Sequence, residues 1–188
     1  MEPIRRRTPL PPLDEGRLNE LALRYVGRFA TTRAKLSHYL ARTLRERGWA
    51  GPREPDLGAL ANLFAERGYV DDRSYALAKS QAMTGRGYGK RRLLESLKAA
   101  GIEEEHGAAA RAHADAEAVS AALRFARRKR IGPFAASAPR DPRERDKMLA
   151  AMVRAGHSFG LSRAILALAP GTEANIEQLK ELSPSSDD

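Results

Sequence analysis

Apolar positions along this chain follow helical spacing. From Leu18 onward, leucine, valine and aromatic residues recur at intervals of three and four, as in Leu36, Leu40 and Leu44, which is the spacing of one face of an α-helix. Alanine is abundant throughout, and no segment shows the period-two run of β-branched and aromatic residues that is typical of a strand. The pattern predicts an all-α fold.

Glycines followed by an apolar or aromatic residue mark the expected helix ends. They stand at Gly48-Trp49, Gly68-Tyr69 and Gly101-Ile102, with a looser fourth case at Gly156. Glycine adopts the left-handed conformation that closes a helix, and the side chain after it packs back on the last turn.

Side-chain oxygens that can cap helix N-termini mark the expected starts. They occur at Thr31-Thr32, Asp71-Asp72 and Asp141-Pro142. Together with the glycines they predict helices over residues 15–30, 32–47, 56–67, 72–84, 88–100, 115–130, 142–155 and 160–168.

Three of the terminal glycines share one apolar spacing. Large apolar residues stand four and eight positions before each of them: Leu44 and Leu40 before Gly48, Leu97 and Leu93 before Gly101, and Met152 and Met148 before Gly156. Any amphipathic helix can place leucine at i and i+4, but three glycines in the same phase favour a repeat of about 50 residues.

A unit of a few short helices cannot bury its apolar face alone, so such units stack on one another. We therefore expect an elongated, curved array of three tandem three-helix repeats, over residues 17–53, 54–114 and 115–169. The proline-rich residues 1–16 and the Ser/Asp-rich residues 170–188 have the composition of disordered ends.

Composition excludes several classes of protein. The 188 residues are 42% hydrophobic and include no cysteine, so we expect a folded chain with no disulfide framework, thiolate zinc site or iron–sulfur cluster. Prolines follow Arg5-Arg6-Arg7 where a signal peptide would need an apolar run, and no stretch approaches the roughly 18 apolar residues of a membrane span. These features predict a soluble, cytoplasmic protein with no membrane partner.

Charge alternates along the chain in step with the repeat. Lys and Arg exceed Asp and Glu by 33 to 24, a net charge of +9. Residues 17–48, 73–101 and 121–164 carry +6, +6 and +8, whereas the intervening 49–72 and 102–120 carry −3 and −4. One charged block is usually only a solvated face, but three in phase favour a surface that follows a polyanion or a long acidic groove.

The sequence contains no complete catalytic or metal-binding motif. The glycine-rich residues 85–90 lack the spacing of a phosphate loop, because Thr84 and Arg91 stand where it requires Gly and Ser or Thr. Asp71-Asp72 fits a helix cap better than a Mg²⁺ site, and His106 and His113 lack a further metal ligand. The sequence therefore predicts neither an enzyme nor a bound metal or cofactor.

Basic residues that share helix faces are the remaining candidates for function. Arg124, Arg127 and Arg128 fall at i, i+3 and i+4, and a cationic run opens the helix expected from residue 88, where the local dipole disfavours it. Phosphates and carboxylates both remain possible targets, because guanidinium groups bind either bidentately. The predicted basic surface comprises Arg24, Arg28, Arg33, Lys90, Arg91, Arg92, Arg124, Arg127, Arg128, Lys129 and Arg130.

Two segments carry a family likeness. Residues 60–76, LANLFAERGYVDDRSYA, resemble the central signature of the RecX family, regulators of the RecA recombinase, and residues 87–102, GYGKRRLLESLKAAGI, continue in that family's style. The first and third repeats are similar to the family's flanking copies, so the resemblance covers residues 17–168. Two positions depart from the family pattern: Lys35 replaces the usual acidic residue, and His157 replaces a phenylalanine.

The resemblance implies an all-helical repeat protein that lies in the groove of the RecA–DNA filament. It implies that the protein restrains recombinase and ATPase activity and so modulates recombination, DNA repair and the SOS response, with no catalysis or cofactor of its own. The implied partners are the RecA filament and single- or double-stranded DNA, bound directly or within the filament by a monomer. The alternative is a sequence-nonspecific DNA-binding protein that acts without RecA, whose affinity would fall steeply with salt.

Overall fold

The structure is a computed structural model that describes residues 10–181. This part of the chain forms ten α-helices and a short 3₁₀-helix (Gly132–Phe134), with no strand beyond an isolated bridge between Leu13 and Trp49. The all-α prediction is confirmed. The helices are α1 (Glu15–Val26), α2 (Arg33–Arg47), α3 (Leu57–Glu66), α4 (Asp72–Gly85), α5 (Lys90–Ala99), α6 (Ala108–Ala116), α7 (Ala118–Lys129), α8 (Pro142–Arg154), α9 (Phe159–Ala167) and α10 (Ile176–Glu181).

The three expected helix starts are confirmed by their caps. The Thr32 hydroxyl accepts a hydrogen bond from the Lys35 amide at 3.1 Å, so α2 is capped even though Lys35 cannot complete a capping box. Asp71 accepts from the Ser74 amide at 2.9 Å, and Asp141 accepts from the Glu144 amide at 2.8 Å. Each bond satisfies an amide that has no partner inside its own helix.

The expected helix ends are confirmed too. Gly48, Gly68, Gly101 and Gly156 have φ angles of 80°, 76°, 69° and 97°. In this left-handed region a side chain would be strained, so the chain turns here at low cost only because these residues are glycines.

Two predicted helices differ from the structure. The helix expected at 15–30 ends at Val26, because the amides of Arg28 and Phe29 both turn back to the Tyr25 carbonyl. The helix expected at 115–130 is α7, and α6 precedes it as a separate helix with Ala110 and Ala114 buried. The spacing of large apolar residues could not reveal α6, because its buried face is made of alanine.

The described residues form two compact units that divide within α4, after Tyr75. In the first unit α1, α2 and α3 enclose one core. Its fully buried leucines come from both helical and extended parts of the chain: Leu13, Leu36 and Leu40. The Leu13 amide and carbonyl bond to Gly48 and Ala50, which fixes the chain before α1 against the end of α2.

The second unit contains two apolar clusters. A small one joins α4, α5 and α6 around Ala76, Leu93 and Leu97. A larger one joins α7, α8, α9 and α10, with Met152 and Ile165 completely buried. No helix of residues 10–181 is long and apolar enough to cross a membrane.

The chain ends only partly match their predicted disorder. Within 1–16, Leu13 is fully buried and α1 already begins at Glu15; within 170–188, α10 is ordered against α7 and α9 by the buried Leu179. Ile176, Leu179 and Leu182 stand at intervals of three, but this short pattern lies in a polar, Ser/Asp-rich stretch, and the composition predicted disorder there. Residues 1–9 and 182–188 of the predicted ends lie outside the described residues.

Candidate functional site

A glycine junction in the second unit brings two segments together. Its residues are Gly87 and Gly89, in the turn between α4 and α5, and Gly156, between α8 and α9. The Gly89 amide donates to the Ala155 carbonyl at 2.9 Å, and the Arg91 amide donates to the Gly156 carbonyl at 3.2 Å. A Cβ atom on Gly89 would lie 2.3 Å from the Gly156 carbonyl oxygen, so only glycine permits this approach.

His157 stabilises the same junction through a hydrogen bond and a ring contact. Its Nε2 donates to the Gly87 carbonyl at 3.1 Å, and its ring lies 5.6 Å from the Phe125 ring. Burial lowers the pKa of His157 to about 4, so the imidazole is neutral at neutral pH. His157 therefore occupies an interior position where an aromatic ring would also fit, while Phe159, two residues later, is exposed.

The cationic run at the start of α5 is partly engaged within the protein. Lys90 forms an ion pair with Asp115 at 2.8 Å, and the Arg91 guanidinium donates to the Val153 carbonyl near the end of α8. Arg92 is exposed and lies over the Tyr88 ring, 4.6 Å from its centroid.

Two arginines of α7 close the end of α4. Arg124 Nε donates to the Thr84 carbonyl at 3.2 Å, and its Nη2 pairs with Glu117 at 2.6 Å. Arg128 donates to the Arg86 carbonyl just beyond α4. Carbonyls at a helix C-terminus carry partial negative charge, so both guanidinium groups have a structural role there.

The other cations of α7 are more available. Arg127 is exposed and lies 5.0 Å from the Phe134 ring centroid, and Lys129 is an exposed residue of the last turn. Arg130 adopts a left-handed φ of 55° and ends the helix. Arg124 and Arg128 of α7 thus bond to carbonyls at the start of the turn at residues 85–89, and the cationic run of α5 begins directly after this turn.

The predicted residues of the first unit have different surroundings. Arg24 pairs with Glu20 at 3.4 Å in a largely exposed contact, and Arg28 is exposed beyond α1. Arg33 binds the buried carboxylate of Asp72 at 2.9 Å and so joins the starts of α2 and α4. Arg33 is therefore a structural residue in this unit.

Three further cations of the second unit were not part of the predicted basic surface. Arg140, Arg145 and Arg163 line an open cleft between α8 and α9. Arg145 and Leu149 lie one helical turn apart, but Arg143 and Lys147 flank Arg145, and the sequence does not show which of these cations faces the cleft.

Asp71 and His113, which were considered above as metal ligands, have structural roles. Hydrogen bonds from the Ser74 hydroxyl and amide lower the pKa of Asp71, which caps α4, and His113 Nδ1 lies 3.0 Å from the buried Ser80 hydroxyl. Within residues 10–181 no group of three or more His, Asp or Glu side chains is arranged to hold a metal ion.

A relative by sequence and a solved structure with a similar fold carry the same family name. No protein-family model matches the chain. The chain is 30% identical over 156 residues to the regulatory protein RecX of Myxococcus xanthus (strain DK1622), covering 79% of this chain and 83% of that protein. The fold is similar to the crystal structure of RecX from Lactobacillus salivarius, with a TM-score of 0.57, 17% identity and coverage of 80% and 93% of the two chains. The sequence likeness is extensive enough to place the chain, and it belongs to the RecX family.

Proposed function

We propose that this protein binds the RecA–DNA filament and inhibits its recombinase and ATPase activities. The observation that carries the proposal is the family membership, because the relative from Myxococcus xanthus is named as a regulatory protein. The protein then acts as a monomer of three tandem helical repeats in the cytoplasm, where it modulates recombination and DNA repair without catalysis of its own.

The cations around the turn at residues 85–89 support the choice of a polyanionic partner. The cationic run of α5 follows this turn, Arg124 and Arg128 of α7 bond to carbonyls at its start, and the hydrogen bonds at the glycine junction fix the turn against the end of α8. The Tyr88 and Phe134 rings lie against the guanidinium groups of Arg92 and Arg127 and restrict them, so these groups lose less conformational entropy when they bind phosphates or carboxylates.

The contacts of the predicted basic residues separate those that support the fold from those that can be replaced without disturbing it. Arg124 and Arg128 bond to carbonyls of the α4 end, so their replacement would disturb the fold as well as the surface. Arg92, Arg127 and Lys129 are exposed, and their side chains make no hydrogen bond or ion pair to another described residue. We assign these three side chains to contacts with the filament.

The decisive experiment is a titration of single-stranded-DNA-dependent ATP hydrolysis by the cognate RecA. The proposal expects inhibition at substoichiometric protein that excess DNA does not relieve. The variant with Arg92, Arg127 and Lys129 each changed to Glu should lose at least tenfold in apparent affinity, whereas Arg42→Glu, an exposed change in the first unit, should not. No inhibition, or inhibition that added DNA removes, would favour a DNA-binding protein that acts without RecA.

A further inference from the structure

A cleft between α8 and α9 is lined by none of the residues assigned to the filament contact. It has a volume of about 920 Å³ and opens to solvent. One face of α8 lines it at spacings of three and four, with Pro142, Arg145 and Leu149, and one face of α9 lines the other side, with Arg163 and Leu166. The cleft is therefore a groove between two helices.

The groove combines an apolar base with a cationic rim. Leu166 is only 7% exposed and Leu149 is half-buried, and both belong to the large apolar cluster of the second unit. Arg140, Arg145 and Arg163 are exposed, and their guanidinium groups make no hydrogen bond or ion pair to any other described residue. Three unpaired guanidinium groups are therefore available to a ligand that enters the groove.

Two properties of the lining favour a peptide over a nucleic acid. Leu149 and Leu166 offer apolar surface to a side chain. The lining contains no aromatic ring on which a base could stack. Asp141 and Asp146 also line the groove, so an acidic ligand must place its carboxylates beside the arginines and not along the whole groove.

We propose that this groove binds an acidic, amphipathic peptide segment of a protein partner. Its carboxylates would form bidentate contacts with Arg145 and Arg163, and an apolar side chain would pack on Leu149 and Leu166, as in helix-in-groove recognition. The inference rests on the proposed function, because it takes RecA as the protein that supplies this segment. It adds a protein-recognition site to the surface assigned to the filament contact.

The test compares two charge-reversed variants of the full-length chain. The first carries Arg145→Glu and Arg163→Glu, which reverse the rim of the groove. The matched control carries Arg143→Glu and Lys147→Glu, which lie on α8 outside the groove lining. Circular dichroism establishes that both variants keep their helicity.

The measurements are inhibition of RecA ATP hydrolysis and binding to fluorescein-labelled oligo(dT). We expect the groove variant to need at least tenfold more protein for half-inhibition, with oligo(dT) affinity changed no more than in the control. Equal inhibition by the two variants, or a loss confined to oligo(dT) binding, would overturn the groove inference alone. If the wild-type chain does not inhibit RecA, the proposed function fails as well, so the two failures are distinguishable.

Photo-crosslinking identifies what enters the groove. p-Benzoylphenylalanine at position 163 should join the protein to a segment of RecA rich in Asp and Glu, whereas the same group at position 143 should not. Crosslinks to DNA, or equal yields at the two positions, would contradict the assignment.

Discussion

Close backbone approach at single glycines sets the geometry of the second unit. A Cβ atom on Gly156 would lie 2.6 Å from the Arg92 amide nitrogen, and its φ is 97°. Gly171 has a similar φ of 79° but nothing within 4 Å of such a Cβ atom. Alanine at position 171 would therefore add backbone strain alone, whereas alanine at position 156 would add both backbone strain and a steric clash.

We predict that Gly156→Ala destabilises the protein far more than Gly171→Ala. The second change costs about 1 kcal/mol of backbone strain, whereas the first adds an overpacking cost of about 1–3 kcal/mol. Urea unfolding followed by circular dichroism measures both free energies. Equal losses would show that the junction can relax around a methyl group.

Burial of one imidazole makes stability depend on pH. The pKa of His157 is about 4 in the folded chain and about 6.5 when unfolded, so the unfolded chain takes up the proton first as pH falls. The contribution of His157 to the free energy of unfolding is therefore constant above pH 6.5. It declines as the pH falls from 6.5 to 4, by up to about 3 kcal/mol.

The variant His157→Phe should lose this component of the pH dependence. Its free energy of unfolding, measured at intervals between pH 7 and 4, should fall less steeply than that of the wild type. His38→Phe serves as the control, because His38 is exposed and its replacement should leave the slope unchanged. A parallel decline in His157→Phe and wild type would contradict the role assigned to the buried imidazole.

At the level of elements, one ion pair joins the starts of α2 and α4. The Asp72 side chain is 4% exposed and accepts from both the amide and the guanidinium of Arg33. A buried carboxylate that loses its cation is costly, because no water replaces the lost partner. The exposed pair between Arg24 and Glu20 has no such penalty.

Arg33→Ala should therefore lower the free energy of unfolding by about 3 kcal/mol, and Arg24→Ala by less than about 1 kcal/mol. Thermal unfolding monitored by circular dichroism distinguishes the two variants. A small effect of Arg33→Ala would mean that water reaches Asp72.

The leucine face of α2 made that helix predictable from the sequence, whereas the alanine face of α6 did not. Leu40 and Leu44 identified α2, and its cap and terminal glycine followed from local chemistry. α6 was missed because Ala110 and Ala114 bury little area each.

The site was less predictable than the helices. Charge and phase selected Arg124 and Arg128, but sequence cannot show that a guanidinium bonds to the Thr84 or Arg86 carbonyl. Such contacts join residues about 40 positions apart, and only the tertiary packing of α7 on the turn at 85–89 creates them.

For the whole molecule, the net charge of +9 is the balance of three cationic blocks and the acidic segments between and after them. Cations that contact phosphates release counterions, so affinity falls as salt rises. Under the proposed function, Arg92, Arg127 and Lys129 together account for part of that dependence.

We predict that changing these three residues to Gln flattens the plot of log affinity against log salt concentration by about 2 to 3, since each phosphate contact contributes about 0.7 to 0.9. Fluorescence anisotropy on RecA filaments between 50 and 200 mM NaCl measures the slope. An unchanged slope would show that these side chains do not contact phosphate.

The glycine junction also bears on how the chain folds. His157 bonds to Gly87 from 70 positions away, and Arg91 bonds to Val153 across 62. Closing so long a loop costs chain entropy before the contacts compensate for it, and nonlocal contacts slow folding. We therefore expect α5 and α7 to form early and the junction late, so a chain emerging from the ribosome cannot complete its second unit until α8 and His157 have been synthesised.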